Sequence, residues 1–214
     1  MKKIAIIGAG GFGREVKALI DDINKVNPTY KIIGFFDDGL EKGTIVNGLP
    51  IIGSIASIND INSEQELALG VGVPESKEKI IQSIQNANVN FPTLIHPSVI
   101  ISNDDISIGK GTIICAGTIL TCNIKIKDFI TLNLSCTVGH DTTIEDYSSF
   151  MPTVNISGEV IIEKGVYVGT GAKIINQLSI GENTIVGAGA VVAKTLPANC
   201  TAVGIPAKPI KFHS

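Results

Sequence analysis

Two short stretches of this 214-residue chain carry residue types able to do chemistry. The first is Val138-Gly139-His140-Asp141, which holds one of only 3 histidines. Eighteen residues beyond His140 and Asp141 lie Gly158 and Glu159. If eighteen residues make one turn of a stacked coil, the imidazole sits beneath a residue with no side chain. A substrate then has room above it, and the Gly158 backbone N–H can donate to a carbonyl oxygen. Asp141 can fix one imidazole tautomer if the chain turns a corner there, because neighbours on a flat strand point apart. Glu159 is the alternative orienter, and a corner histidine without chemistry is the plainer reading. The second stretch is Gly8-Ala9-Gly10-Gly11-Phe12-Gly13-Arg14, followed by Asp37-Asp38. A G-x-G-x-x-G turn between a strand and a helix directs backbone amides at phosphate. Arg14 adds charge to that grip, and two carboxylates suit a base or ribose edge. Glycines serving only close helix–strand packing are the alternative.

These residues must be positioned by something, and the larger part of the chain is a repeat. Every sixth residue from Ile108 to Val192 is aliphatic or aromatic, fifteen in succession. With 44% apolar residues overall, chance placement would miss about half of these positions. Four places after each lies a second small or aliphatic residue, such as Thr112, Thr118, Cys136, Val160, Ala172 or Ala190, and both sets are expected inside. Three hexads make one triangular coil with a short flat strand on each side. Fifteen hexads predict five coils: 108–125, 126–143, 144–161, 162–179 and 180–197. Stacked at the interstrand spacing, they form a parallel prism roughly 24 Å tall. Gly109-Lys110-Gly111, Gly181-Glu182-Asn183 and Gly187-Ala188-Gly189 suit corners with positive φ.

The first 95 residues are patterned differently. Ile4–Ile7 reads as a buried strand, Arg14–Ile23 as a helix and Lys31–Phe36 as a second strand, which together form a βαβ unit. Thr44–Gly53 reads as a turn into a short strand, Leu67–Val73 as another strand and Ser76–Gln85 as a second helix. The expected domains are 1–95, Rossmann-like; 96–198, a β-helix; and 199–214, a capping tail. About 95 residues are too few for both halves of a dinucleotide fold, so one nucleotide diphosphate fits the glycine turn better.

A net charge of -3 gives no basic surface for nucleic acid or anionic membrane. The apolar run after Met1-Lys2-Lys3 is only four residues long, so neither an export signal nor a membrane span is expected. The 4 cysteines, Cys115, Cys122, Cys136 and Cys200, lack metal-type pairing and read as reduced core thiols of a cytoplasmic protein. One histidine within the coils cannot supply a three-histidine metal site, so no metal is expected.

Taken in order, the glycine turn with Arg14, Phe35-Phe36-Asp37-Asp38, Val71-Gly72, Leu94-Ile95-His96-Pro97-Ser98, Asn133, Gly139-His140-Asp141 and Val203-Gly204-Ile205-Pro206-Ala207-Lys208 span the chain. This combination resembles the sugar O-acyltransferases of the sialic acid O-acetyltransferase (NeuD/PglD-like) type. That family includes acetyl-CoA-dependent N-acetyltransferases of nucleotide-linked 4-amino sugars that serve surface glycan synthesis. The resemblance implies a left-handed parallel β-helix, a homotrimer with acetyl-CoA between neighbouring prisms, and no nicotinamide. It implies that Gly10, Gly11, Phe12, Asp37, Asp38 and Gly72 contact a UDP-, GDP- or dTDP-sugar. His140 would be the general base, tuned by Asp141, with Asn133 positioning the reacting amine or acyl group. The Gly158 amide would receive the thioester oxygen, and Ser149, Thr170, Ala188 and Lys208 would line the coenzyme groove. Relatives commonly carry histidine at Phe12 and Ser149, and glutamate at Asp141. Three alternatives stay open: O-acetylation of sialic acid or another sugar hydroxyl, a nucleotide-dependent oxidoreductase or redox sensor, and a non-catalytic nucleotide-sugar-binding protein.

Overall fold

The structure is a computed structural model that describes residues 1–213. The chain divides into two compact units, Met1–Pro97 and one beginning at Ser98.

In the first unit, strand β1 (Lys2–Ile7) leads through the glycine turn into helix α1 (Gly11–Val26) and strand β2 (Tyr30–Phe36). A hairpin of β3 (Ile45–Val46) and β4 (Leu49–Gly53) follows, then a 3₁₀ turn at Ala56–Asp60. Strand β5 (Gln65–Leu69), helix α2 (Pro74–Ser83) and strand β6 (Val89–Asn90) complete the layer. The sheet order is β3-β4-β2-β1-β5-β6, and every pairing except the hairpin is parallel. Ile4–Ile7 and Leu67–Leu69 are buried, while Val16, Leu19 and Ile20 give α1 the apolar stripe that covers the sheet. The expected strand over Leu67–Val73 stops at Leu69, because Gly70 leaves the sheet for a loop that ends at Pro74, the first residue of α2. Gly70 also allows Gly13 of α1 to approach: a β-carbon on Gly70 would lie 2.7 Å from the Gly13 Cα.

The second unit is a β-helix with three flat faces. The first face stacks Ile113–Ile114, Thr131–Leu132, Ser149–Phe150, Tyr167–Val168, Ile185–Val186 and Cys200–Val203. The second is a six-stranded sheet running from Ile100–Ile101 through Thr137–Val138 and Asn155–Ile156 to Val191–Val192. The third is five-stranded, from Ile106–Ile108 to Ser179–Ile180. Each sixth residue from Ile114 to Val192 is at most 3% exposed, so these side chains form a continuous apolar column. Burying each is worth roughly 1.5–3 kcal/mol.

Corners repeat with the same period. Positive φ occurs at every sixth position from Asp105 to Gly189, including Phe129, Ser135, Tyr147, Thr153, Glu159 and Gln177. Stacking above and below holds these residues left-handed against their own preference. At one corner the Phe129 and Tyr147 rings stack with centroids 5.5 Å apart. The repeat also starts earlier than the expected 108. Ile101 pairs with Leu120, nineteen residues on, whereas Ile108 pairs with Ile126, eighteen on. One extra residue between Ile101 and Ile108 hides the first coil from a strict count by six. At the other end, Lys208–Phe212 folds back antiparallel to Cys200–Val203 and closes the stack.

Candidate active site

The glycines of the first unit separate into two groups. A β-carbon on Gly13 would overlap the carbonyl oxygen of Gly8, and Gly8 itself has φ +91. These two and Gly70 serve packing. Added β-carbons at Gly10 and Gly11, in contrast, would meet nothing within 4 Å. Both residues are exposed, and α1 starts at Gly11 with neither a side-chain cap nor an acidic residue in its first turn. The turn therefore offers its amides outward at the positive end of the helix. Arg14 Nε donates to the Gly10 carbonyl (3.3 Å), keeping the guanidinium beside the turn.

Asp37 has a structural role of its own. Its two oxygens accept from Ala9 N–H and Gly39 N–H, both at 2.8 Å, so the carboxylate staples the glycine turn to the loop after β2. Asp38 accepts from Ile55 N–H at 2.8 Å with one oxygen and is exposed. Phe12 and Gly72 are half-buried, in the first turn of α1 and the loop after β5. The loops after β1, β2 and β5 leave the sheet at one end, where chain order reverses about β1; parallel sheets bind ligands at such a point. Beside Asp37, Phe36, Lys42, Ile52, Gly53, Ser54, Ser57, Asp60 and Ile61 line a cavity of about 470 Å³.

On the β-helix, His140 and Asp141 occupy the corner between the second and third faces. Asp141 has φ +58, the bend that lets adjacent side chains meet. His140 Nδ1 lies 2.7 Å from Asp141 Oδ2, and Asn123 Nδ2 donates to Asp141 Oδ1 at 3.0 Å. The hydrogen bond from His140, then the one from Asn123, hold the Asp141 carboxyl below the usual carboxylate range. An ionised carboxylate only accepts, so a neutral ring in this pose carries its proton on Nδ1 and presents the Nε2 lone pair. The ring is 54% exposed.

Glu159 is not the orienter. Its N–H donates to the His140 carbonyl (2.7 Å), and its carboxylate accepts from Gln177 Nε2 (3.1 Å). The space over Gly158 is also filled differently from expectation: a β-carbon there would sit 2.5 Å from His140 Cε1. The imidazole itself occupies the place assigned to substrate, because the corner folds the ring across the next coil. The Gly158 N–H has no acceptor among the described residues.

The remaining candidates lie elsewhere on the β-helix. Asn133, Thr170 and Ala188 lie at the corner between the first and second faces, where Thr170 accepts the Gly189 N–H at 2.8 Å. Lys208 pairs with Val203, whose side chain covers Gly187 at the top of that corner. Thr170, Ala188 and Lys208 are exposed, whereas Asn133 is only 5% exposed and accepts from Leu134 N–H at 2.7 Å. In one chain the width of the second face separates Asn133 from His140. Ser149 departs from expectation. It is fully enclosed and its Oγ has no hydrogen-bond partner, so it lines no open groove of a single chain. All four cysteines are free thiols, and burial pushes Cys136 up to about 11. No group of three metal-ligating side chains occurs among the described residues, and no described helix is long and apolar enough to cross a membrane.

Comparison with known proteins fits this arrangement. Residues 3–84 match the PglD N-terminal domain, and residues 159–194 match the bacterial transferase hexapeptide (six repeats). GDP-perosamine N-acetyltransferase of Escherichia coli O157:H7 is 32% identical, over 99% of this chain and 97% of its own. The acetyltransferase domain of PglB from Neisseria gonorrhoeae FA1090, solved with acetyl coenzyme A, superposes with a TM-score of 0.89 at 32% identity, covering 98% of this chain and 99% of that one. PerB from Caulobacter crescentus, solved with CoA and GDP-perosamine, gives 0.85 at 26% identity, covering 99% and 98%. With an exposed glycine turn opening a helix on one unit and an imidazole held by a carboxylate on a hexapeptide β-helix, the chain belongs to the PglD-like family of acetyl-CoA-dependent sugar N-acetyltransferases.

Proposed function

We propose that this chain transfers the acetyl group of acetyl-CoA to the amine of a nucleotide-linked 4-amino sugar. The observation that carries the reading is the Asp141–His140 pair, which leaves Nε2 as the proton acceptor. As the neutral amine attacks the thioester carbon, a C–N bond forms and the carbonyl oxygen gains negative charge. The Gly158 N–H is the candidate donor to that oxyanion, a contact worth about 10²–10³-fold. His140 takes the proton leaving the nitrogen. Collapse breaks the C–S bond, and the departing thiolate is protonated in turn, regenerating the base. No acyl-enzyme is needed, since holding amine and thioester together removes much of the entropic barrier.

The nucleotide diphosphate would lie on the Gly10–Gly11 amides, with Arg14, Phe12, Asp38 and Gly72 around it and the base or ribose towards the cavity beside Asp37. A GDP-linked sugar is the first to test, because a relative matched over nearly its whole length acts on GDP-perosamine. Homotrimeric assembly is supported by the separation of the two corners: a neighbouring copy would set the Asn133, Thr170, Ala188 and Lys208 edge of one chain against the His140 edge of another. Exposed Leu134, Ile161 and Ile175 at or near these edges suit such an interface. The cytoplasm, where both activated substrates are made, is the compartment this chemistry requires. Thiol release from acetyl-CoA against GDP-, UDP- and dTDP-linked 4-amino sugars and free sialic acid tests the reading. Release with sialic acid alone would replace it by O-acetylation, and nucleotide-sugar binding without release would replace it by a binding protein.

A further inference from the structure

The corner carrying His140 and Asp141 is part of a vertical column whose successive members are Asn123, Asp141, Glu159 and Gln177, each eighteen residues apart. The two carboxylates in this column are each met by an amide, and in opposite directions. Asn123, one coil before the histidine, donates to Asp141 Oδ1 at 3.0 Å. Gln177, one coil after Glu159, donates to Glu159 Oε2 at 3.1 Å. Only Asp141 Oδ2 is then in contact with the imidazole, at 2.7 Å from Nδ1.

We propose that Asn123 is a positioning residue for the transfer reaction, fixing the Asp141 carboxylate so that His140 is held in the tautomer with Nε2 unprotonated. The inference rests on the reading of His140 as the base. Its physical argument is geometric. An aspartate on an exposed corner has two free torsions, and its 49% side-chain exposure leaves water able to compete for both oxygens. A donor from the coil below removes one rotational choice, and the remaining oxygen faces Nδ1. The Asn123 amide is well placed to do this because its own backbone is fixed: φ is +54, a region asparagine tolerates, and its N–H donates to Asp104 O at 2.8 Å. Glutamine at 177 serves the complementary end, keeping the second carboxylate off the ring. The Asn123 amide donates to Asp141, so its effect on the ring is expected to run through that carboxylate.

The test uses the full-length protein with four substitutions, two of them at Asn123. Asn123→Gly keeps the left-handed corner and removes the amide; Asn123→Asp keeps the shape but cannot donate and sets like charge beside Asp141. Each is also placed in an Asp141→Asn background. The ¹⁵N spectrum of His140, assigned by its loss in His140→Ala and recorded at about pH 9 where an imidazole is neutral, reads the tautomer directly. The expected result is an Nδ1–H tautomer in the parent and a measurable Nε2–H population in both Asn123 variants. With acetyl-CoA and GDP-perosamine as probes, kcat should fall about tenfold, as for outer partners of functional histidines, while both KM values hold. In the Asp141→Asn background, removing the amide should change neither readout further. An unchanged tautomer in Asn123→Gly, or an equal loss of kcat in both backgrounds, would overturn the proposal. Full activity in His140→Ala would instead overturn the base reading, and with it the role of Asn123 in transfer, while the tautomer spectrum would still show whether Asn123 fixes the Asp141 carboxylate.

Discussion

The imidazole of His140 lies across the Cα of Gly158, close enough that a β-carbon on Gly158 would come within 2.5 Å of His140 Cε1. Gly158 is not among the positive-φ residues, so alanine fits its backbone, and the exposed ring is the movable partner. Gly158→Ala is therefore expected to swing the imidazole off Asp141 with little effect on folding. A kcat loss of about 10²-fold or more, with a melting temperature within a few degrees of the parent, checks this. A variant that keeps its kcat would show that the ring is not catalytic in this pose.

His140→Ala should lower kcat by about 10²–10⁴-fold, the usual contribution of a positioned base, with acetyl-CoA affinity little changed. The pH profile carries a second expectation. Because the folded-state Asp141 carboxyl is held below its ordinary value, it favours the ionised form: its contribution is present above the unfolded value and is lost only as pH falls through the lower folded one. The pair should survive from neutrality to about pH 4. An acid limb in kcat above that pH then belongs to another group, and it should persist in Asp141→Asn.

The two kinds of glycine in the first unit can be separated by alanine. Gly13→Ala forces a methyl into the Gly8 carbonyl and should unfold or strongly destabilise the unit, seen as a lost or lowered first thermal transition. Gly10→Ala and Gly11→Ala meet open space and should leave melting unchanged while raising KM for the nucleotide sugar. Unchanged KM in both would remove the turn from the binding site.

Thiol reactivity distinguishes direct transfer from an acyl-enzyme. Cys136 is buried and pushed up to about 11, and Cys115 and Cys200 are buried too, while Cys122 is half-exposed. Alkylation of the native protein near neutral pH should therefore mark Cys122 first and leave Cys136 untouched until unfolding. Acetylated Cys136 trapped during turnover would contradict the proposed mechanism.

The core was legible from the sequence because its period is rigid: inward positions recur every six residues, and each coil checks the one before it. The corners were only partly legible. Phe129, Tyr147, Thr153 and Gln177 adopt positive φ, which their side chains disfavour, so local preference points away from the structure at these sites. The first coil was hidden by a single extra residue between Ile101 and Ile108. At the site, the eighteen-residue spacing found Gly158 above His140 but could not tell that the ring would fill the gap. The same spacing run downward from Asp141 reaches Asn123, a signal that was available and missed. The position of Asp37 after the second strand suggests a ligand contact, but its bonds to Ala9 and Gly39 depend on loop shape no local pattern encodes. Ser149 illustrates the remaining limit, since enclosure of an outward-register residue depends on what lies over the face.

The offset of nineteen at the first coil and of sixteen at the last, where Ile185 pairs with Thr201, against eighteen in the coils between, bears on how such a chain can change over generations. A single-codon insertion or deletion between Asn123 and Gly158 that no corner absorbed would lift His140 out of line with the coil above or below it. Both departures from eighteen fall on end coils, which have a partner coil on one side alone. In-frame duplication or loss of a whole eighteen-residue coil escapes this constraint, and it would lengthen or shorten the prism by about 4.8 Å per coil. Lineages of this fold would then be expected to differ in steps of one coil, a quantised change in the distance between the corner histidine and the closing hairpin.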